Sequence, residues 1–310
     1  MSNKTADGPS SATAPHATPT VGVVGLGAIG GGVVQNLLTA GLPVVVHDVR
    51  PEAADPLRDR ASVAVSPAEL ATRCDLVVVA VVDDAQVEAV LSGPDGAMAA
   101  ARPGTVFVVV STISPTCVAS IGAEAQTSAV SVVDCGVSGG PGAAASGDLV
   151  CMVGGDPESI ERARPVFDAI GSLTLEMGPF GAGLAAKLAR NLVQYGSWLA
   201  AYEGQVLAEA AGIDLLKLAE AIRASDAFIG GASRLMFRST VAPFTPADDA
   251  GLIEAMRQGA RLAHKDLAAA RELGETLGVD LPLADMAAAR CDDVFGLGAA
   301  GSRPVGGDGL

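Results

Sequence analysis

From residue 20 to about residue 180, segments with the apolar pattern of a strand alternate with segments that have the apolar spacing of a helix. Short apolar runs typical of buried strands recur between segments with helical spacing. Strands are predicted over 21–25, 43–47, 75–82, 105–110, 130–134, 149–153 and 173–176. Helices are predicted between them, for instance over 66–73, 84–91, 114–125 and 157–170. This alternation predicts an α/β domain with a mainly parallel sheet and helices on both faces.

The strand pattern ends near Gly181, and the rest of the chain has helical spacing. Helices are predicted over 182–211, 214–224, 229–236, 249–274 and 282–293. We therefore predict one domain over 20–180 and an all-helical domain over 181–295, joined by the long helix that starts at 182. The segment 1–19 is rich in Ser, Thr, Ala and Pro, and 296–310 is rich in Gly, so both are predicted to be loose tails.

Composition narrows the possible partners and compartments. A net charge of −15 argues against a nucleic acid or an anionic membrane as partner. The five cysteines are odd in number and lack CxxC spacing, and there are only three histidines, so neither a disulfide framework nor a metal site is predicted. No apolar run is long enough for a membrane span. These features fit the reducing cytoplasm.

A glycine motif lies between the first predicted strand and the first helix. It consists of Gly25, Leu26, Gly27, Ala28, Ile29 and Gly30, and Asp48 follows the next strand. In such a motif the first glycine permits a tight turn, the second lets a pyrophosphate approach the backbone, and the third lets the helix pack closely. The helix N-terminus then offers N–H groups to the phosphates. We predict a dinucleotide site; a glycine-rich turn that binds nothing is the alternative.

Asp48 bears on the choice of dinucleotide. A carboxylate at this position accepts hydrogen bonds from a ribose 2′-hydroxyl and repels a 2′-phosphate, which favours NAD over NADP. Arg50, two residues later, could turn towards a phosphate and weaken that preference. The alternative for Arg50 is a solvated loop arginine.

Loops at the carboxyl ends of the other strands are further candidates, because ligands of open α/β sheets bind there. The loop with Val81, Val82 and Gln86 is expected beside the adenosine ribose. Thr112 is expected near the nicotinamide, although Ser114-Pro115 is also a good helix start.

A glycine-rich loop is predicted over Asp134–Gly142. Its consecutive glycines expose backbone N–H groups and Ser138 adds a hydroxyl, a combination that can bind a carboxylate without a basic side chain. A flexible turn is the alternative.

Lys187 and Asn191 are four residues apart in the long helix and therefore share a face. Few charges surround Lys187 in sequence. Partial desolvation would disfavour its ammonium form and let it exchange protons near neutral pH. A solvated lysine on a surface helix is the alternative.

Four motifs together resemble the β-hydroxyacid dehydrogenases, whose best-known members are the 3-hydroxyisobutyrate dehydrogenases and tartronate semialdehyde reductases. The motifs are Gly25–Gly30, Asp134–Gly140, Gly181–Asn191 and His264–Leu267. The resemblance extends over residues 20–295. It departs from the usual family pattern at Gly136, where proline is common, and at Arg190, where asparagine is common.

The resemblance implies a role for each candidate residue. Lys187 is the expected acid/base, and Asn191 the expected substrate partner beside it. Ser138, Gly139 and Gly140 are expected to hold the substrate carboxylate. Lys265 is expected to reach the cofactor, and the loop residues Val81, Val82, Gln86 and Thr112 to contact it. Members of the family are commonly dimers or tetramers built through the helical domain.

The implied reaction is reversible hydride transfer between a short 3-hydroxy acid and the nicotinamide, without a metal. Arg190 either contacts a second acidic group of the substrate or points to solvent. An imine reductase shares the architecture but generally lacks the lysine and binds NADP. A 6-phosphogluconate dehydrogenase needs a longer helical domain and a basic phosphate site. A third alternative is an NAD-binding protein without catalysis.

Overall fold

The computed structural model describes residues 18–298, which form two compact units that divide between Ala189 and Arg190. Most of the predicted tails therefore lies outside the described residues. Gly296 is still tied to the C-terminal unit, since its carbonyl accepts a hydrogen bond of 2.8 Å from the Phe244 N–H.

The N-terminal unit is built on an eight-stranded sheet. The strands are β1 Val21–Val24, β2 Val44–His47, β3 Ser62–Val63, β4 Leu76–Val79, β5 Val106–Val109, β6 Ser131–Ser138, β7 Leu149–Gly154 and β8 Gly171–Gly178. Their order across the sheet is β3-β2-β1-β4-β5-β6-β7-β8. All neighbours are parallel except β6 and β7, which are antiparallel. The predicted mainly parallel sheet is confirmed.

Helices cover this sheet on both faces. They are α1 Ala28–Thr39, a 3₁₀ helix Pro51–Leu57, α2 Pro67–Arg73, α3 Asp84–Ser92, α4 Ala97–Ala100, α5 Pro115–Thr127, α6 Gly140–Ser146 and α7 Pro157–Ile170. The valine-rich strands β1, β4 and β5 are buried along their whole length, as expected of strands with helices on both sides. Two apolar clusters result, one on each face of the sheet.

Local capping explains where several of these helices begin. Each of four polar residues precedes a helix, and its side chain accepts the N–H of the residue three positions later. They are Ser66, Asp83, Ser114 and Asp156. Such caps satisfy N–H groups that the helix itself leaves unpaired. The helix start expected at Ser114-Pro115 is thereby confirmed.

The structure corrects the glycine-rich loop predicted over Asp134–Gly142. Asp134–Ser138 belongs to β6 and pairs with β7, from Asp134 opposite Gly154 to Ser138 opposite Val150. After Gly139, α6 begins at Gly140. The strand predicted over 130–134 is present, but its continuation to Ser138 was missed because glycine and polar residues interrupt the apolar pattern there, although the backbone is paired.

The C-terminal unit is helical in its described part. The long helix α8 Ala182–Ala210 runs through the boundary, followed by α9 Leu215–Ile229, α10 Ala250–Leu277 and α11 Pro282–Val294. The helix predicted over 229–236 is wrong. Instead α9 extends to Ile229 and ends at Gly230, whose φ of 75° does not continue a helix. Within residues 18–298, no helix is both long and apolar enough to cross a membrane.

Candidate functional site

The glycine motif forms the turn between β1 and α1. Gly25 has a φ of 92°, and a Cβ atom there would overlap the Ala80 carbonyl. A Cβ atom on Gly30 would overlap the Gly25 carbonyl, so this glycine lets α1 pack directly on the turn. Gly27 precedes α1 without a side-chain cap, and a Cβ atom on it would meet nothing within 4 Å. The start of α1 therefore offers N–H groups beside open space, as a phosphate needs.

Asp48 connects this turn to the end of β2. Its Oδ2 accepts a hydrogen bond of 2.8 Å from the Leu26 N–H, inside the glycine motif. Its Oδ1 accepts the Arg50 N–H at 2.9 Å and the Arg50 Nε at 3.1 Å. The carboxylate thus holds the turn and the Arg50 side chain together.

These bonds decide the charge state of Asp48. Burial favours the neutral acid, but the hydrogen bonds from the Arg50 side chain and from the Leu26 and Arg50 backbone outweigh it, so the pKa of Asp48 lies below its usual value. The side chain of Asp48 is 6% exposed and that of Arg50 is 59% exposed. Asp48 is therefore a fixed anion, whereas the Arg50 side chain bonded to it lies largely in solvent.

A cavity of about 680 Å³ opens beside Asp48, within the size range of small-molecule sites. It is lined by six residues predicted to bind the cofactor: Gly25, Gly27, Asp48, Val81, Val82 and Gln86. The cavity lining does not include four other residues of the motif: Leu26 in the turn, and Ala28, Ile29 and Gly30 in the first turn of α1.

Sequence reasoning missed several lining residues, among them His47, Pro67 and Asp95. The His47 ring is buried and its Nδ1 lies 3.0 Å from the Ala64 carbonyl oxygen. Its position directly before Asp48, at the carboxyl end of a strand, was a usable signal. Pro67 and Asp95 carried none, because they reach the cavity from the start of α2 and from the turn between α3 and α4, which are distant in sequence from the glycine motif.

The loop after β4 is held by side chains rather than by regular structure. The Val81 N–H donates to Ser111 Oγ at 2.9 Å, and the Val82 N–H donates to Gln86 Oε1 at 3.1 Å. Ser111 is buried, whereas its neighbour Thr112 is exposed and does not line the cavity. The loop is therefore preformed beside the cavity, and the contact expected of Thr112 stays a prediction.

A second group of predicted residues lies where β6 meets α8. Ser138 ends β6 and is buried, and Gly139 and Gly140 follow with φ of 128° and 70°. Asp134, on the same strand, is fully buried and accepts the N–H groups of Gly181 and Leu184 at the start of α8, both at 2.6 Å. Burial raises the pKa of Asp134, and these backbone hydrogen bonds lower it only partly.

Lys187 lies one turn further along α8, half-buried, against the same strand. A Cβ atom on Gly136 would be 2.5 Å from Lys187 Cβ and 2.7 Å from the Gly183 carbonyl oxygen. The glycine at this position, where the resembling family commonly has proline, therefore allows α8 to lie directly on β6. Alternate residues of a strand share a face, so Ser138 lies on the face of β6 that Lys187 contacts.

Asn191 and Lys265 belong to the C-terminal unit. Asn191 is half-buried on α8, and its Oδ1 accepts a hydrogen bond of 3.4 Å from Arg190, which also donates to Gln194 Oε1 at 2.9 Å. Lys265 is exposed on α10 and pairs with Asp266 at 3.1 Å. The roles expected of Asn191 and Lys265 stay predictions.

Two family models match the two halves of the chain. The NAD-binding domain of 6-phosphogluconate dehydrogenase matches residues 20–178. The model described as NAD-binding of NADP-dependent 3-hydroxyisobutyrate dehydrogenase matches residues 181–299.

Within residues 18–298, no cluster of three His, Cys, Asp or Glu residues that could hold a metal ion is present.

Individual proteins match nearly the full chain. An uncharacterized oxidoreductase of Mycobacterium tuberculosis is 40% identical over 90% of this chain and 94% of its own length. The crystal structure of a putative oxidoreductase from Mycobacterium avium 104 has a TM-score of 0.81 and 37% identity, covering 90% of this chain and 99% of that one. The 3-hydroxyisobutyrate dehydrogenase of Mycobacterium tuberculosis, solved with L-serine, has a TM-score of 0.64 and 31% identity, covering 89% and 93%.

Proposed function

Since this chain belongs to the β-hydroxyacid dehydrogenase family, we propose that it is an NAD-dependent dehydrogenase of short 3-hydroxy acids with Lys187 as its general acid/base. The observation that carries this proposal is the contact of Lys187 with β6 at Gly136, two residues before Ser138. An amine and a hydroxyl on one face of a strand suit a small substrate that has both a hydroxyl to deprotonate and a carboxylate to bind.

The residues around the cavity fit a dinucleotide. The uncapped start of α1 suits the pyrophosphate, and Asp48 suits a ribose with free hydroxyls. Bound NAD⁺ supplies a hydride acceptor at its nicotinamide, and the protein supplies position and electrostatics. Val81, Val82 and Gln86 also line the cavity.

In the proposed reaction, neutral Lys187 accepts the proton of the substrate hydroxyl at Nζ. The carbon that bears this hydroxyl gives its hydride to the nicotinamide. In reverse, the Lys187 ammonium donates that proton to the carbonyl oxygen. Ser138, Gly139 and Gly140 hold the carboxylate with a hydroxyl and backbone N–H groups. Asn191 donates to the substrate oxygen beside Lys187. Acid–base catalysis of this kind contributes about 10²–10⁴-fold to the rate.

NAD rather than NADP is the proposed cofactor, because Asp48 is a fixed anion at the ribose position. A 2′-phosphate there would be repelled by the carboxylate. Arg50 is bonded to Asp48 and neutralises part of its charge. The discrimination against NADP is therefore expected to be weaker than an unpaired carboxylate would give. The lysine and Asp48 together also weigh against the alternative of an imine reductase.

We further propose a cytoplasmic homodimer or homotetramer built through the helical unit. Large apolar side chains of α8 are exposed in the single chain, including Leu192 at 75% and Trp198 at 59%. Covering such side chains with a second copy removes apolar surface from water. Light scattering of the purified protein tests this, and a monomer at micromolar concentration contradicts it.

The deciding experiment measures NADH formation with NAD⁺ and a panel of short hydroxy acids. The panel holds 3-hydroxyisobutyrate, glycerate, 3-hydroxypropionate, L-serine and threonate, and NADP⁺ is tested in parallel. Turnover of one member supports the proposal and names the substrate type. NAD binding without turnover of any member favours the non-catalytic alternative, and reduction of a cyclic imine with NADPH favours the imine reductase.

A further inference from the structure

The start of α8 is held by a carboxylate that belongs to a different element. Asp134 lies on β6, 47 residues before Gly181 in sequence, and its two oxygens separately accept the N–H groups of Gly181 and Leu184. Both bonds are 2.6 Å long, and the Asp134 side chain is fully buried. The positive end of a helix dipole favours a negative charge at this place.

A local cap would be enough to stabilise a helix start, as in α7. There Asp156, directly before the helix, accepts the Ser159 N–H at 3.0 Å. A local cap bonds only residues that are close in sequence, so it does not fix the position of the helix relative to a strand. A carboxylate from β6 instead fixes the first turn of α8 to one position along that strand.

Close approach of α8 to the sheet makes this possible. A Cβ atom on Gly183 would be 2.9 Å from Asp134 Oδ2 and 2.8 Å from the Gly154 nitrogen. A Cβ atom on Gly154 would be 2.7 Å from the Pro179 carbonyl oxygen. Side chains at these glycines would separate the helix from the strands by more than a hydrogen bond allows.

The order of residues along one face of β6 connects this anchor to the candidate site. Asp134, Gly136 and Ser138 alternate along the strand and share a face. Asp134 binds the first turn of α8, Gly136 contacts Lys187 on the next turn, and Ser138 ends the strand. Asp134, the predicted base Lys187 and the predicted carboxylate ligand Ser138 therefore follow one another along the same face of β6.

We propose that Asp134 is a positioning residue: through its hydrogen bonds to Gly181 and Leu184 it sets where Lys187 stands relative to Ser138. This inference rests on the proposed function only for its effect on the rate. The position of Lys187 itself is measurable without turnover. A misplacement of about 1 Å at a reacting group costs about 10²-fold in rate, so the anchor is expected to matter for kcat.

The first test replaces one oxygen by an amide. In Asp134→Asn one of the two helix N–H groups faces an NH₂ group, and two donors cannot bond. We expect kcat to fall about 10–100-fold, with the dissociation constant for NAD⁺ within about twofold because the cavity lies elsewhere in the unit. Two controls accompany it: Asp156→Asn, the same change at a local cap, and Phe167→Leu, a fully buried residue of α7.

The second readout does not depend on activity. The chain has only four lysines, Lys4, Lys187, Lys217 and Lys265. After ¹³C reductive methylation each lysine gives one assignable NMR signal, which is titrated with pH. Asp134→Asn is expected to shift the Lys187 signal and its titration midpoint, while the Lys217 and Lys265 signals stay in place.

The outcomes separate the two proposals. A wild-type protein without turnover contradicts the proposed function, whereas the Lys187 signal still reports on Asp134. An unchanged Lys187 signal in Asp134→Asn, or a loss of kcat no larger than in Phe167→Leu at an equal fall of the melting temperature, overturns the positioning role. If Asp134→Asn does not fold, amide exchange of the wild type decides, because rapid exchange of the Gly181 and Leu184 N–H groups would contradict the anchor.

Discussion

Gly136 of β6 lies directly under Lys187 of α8, so closely that any side chain at position 136 would meet the helix. The distance from a Cβ atom placed on Gly136 to Lys187 Cβ is 2.5 Å, well inside van der Waals contact. Lys187 Cβ is fixed to the backbone and cannot rotate away. The absence of a side chain at position 136 therefore determines how near Lys187 stands to the strand that ends in Ser138.

Gly136→Ala is expected to push α8 away from β6 and to lower kcat/KM with the hydroxyacid substrate about tenfold or more. The melting temperature is also expected to fall, because the close-packed interior resists an added methyl group. Steady-state kinetics and thermal unfolding check both effects. Gly204→Ala on the same helix is the matched control, since a Cβ atom there meets nothing within 4 Å. Equal kinetics of the two variants would contradict the close-contact interpretation.

Lys187→Met is expected to lower kcat by about 10²–10⁴-fold, because it removes proton transfer but keeps the aliphatic stem. The cofactor cavity contains no part of Lys187, so the dissociation constant for NAD⁺ is expected to stay within about twofold. Isothermal titration calorimetry and single-turnover kinetics separate these quantities. Lys217→Met, an exposed lysine of α9, is the control. Full activity of Lys187→Met at a chemistry-limited rate would exclude Lys187 as the acid/base.

Arg50→Ala is expected to sharpen the preference for NAD over NADP. The guanidinium bonded to Asp48 is the group in the cavity wall that could turn to a 2′-phosphate. Removing it leaves the carboxylate uncompensated, so the dissociation constant for NADP⁺ is expected to rise about tenfold while that for NAD⁺ changes little. Calorimetric titration with both cofactors measures the ratio. A ratio equal to that of the wild type would contradict a role of Arg50 in the choice between the two cofactors.

Local signals made most of the N-terminal fold predictable from sequence. The valine-rich strands stand out as apolar runs. Helix starts are marked by capping residues, each of which bonds the N–H only three positions later: Ser66, Asp83, Ser114 and Asp156. The glycine turn at Gly25 is equally local. Each of these features depends on neighbours in sequence, so a single sequence contains the information.

Features that depend on distant residues were not predictable. Asp134 begins a glycine-rich segment that was predicted to be a loop. Nothing near it in sequence indicated that its partners are the N–H groups of Gly181 and Leu184. The pairing of β6 with β7 likewise depends on Val150 and Met152 lying opposite Ser138 and Gly136. His47, by contrast, was next to Asp48 and could have been included in the cofactor cavity.

Opposite pKa shifts of two aspartates give a test of the hydrogen bonds that hold both candidate sites. The pKa of Asp48 is lowered in the folded protein, because hydrogen bonds to its carboxylate outweigh its burial. Its stabilising effect is therefore present above the usual aspartate value of 3.8 and is lost as the pH falls through the lower, folded value. The melting temperature of the wild type minus that of Asp48→Asn is expected to decrease as the solution is acidified from pH 5 to pH 3.

For Asp134 the sign is reversed, because burial raises its pKa in the folded protein. Between 3.8 and that raised value the folded state binds more protons than the unfolded state, so the free energy of unfolding falls as the pH rises. The melting temperature of the wild type minus that of Asp134→Asn is therefore expected to shrink as the pH rises through this window. Differential scanning calorimetry of the three proteins across pH 3–7 checks both slopes. Parallel slopes for the two variants would show that backbone N–H groups, and not burial, dominate at Asp134.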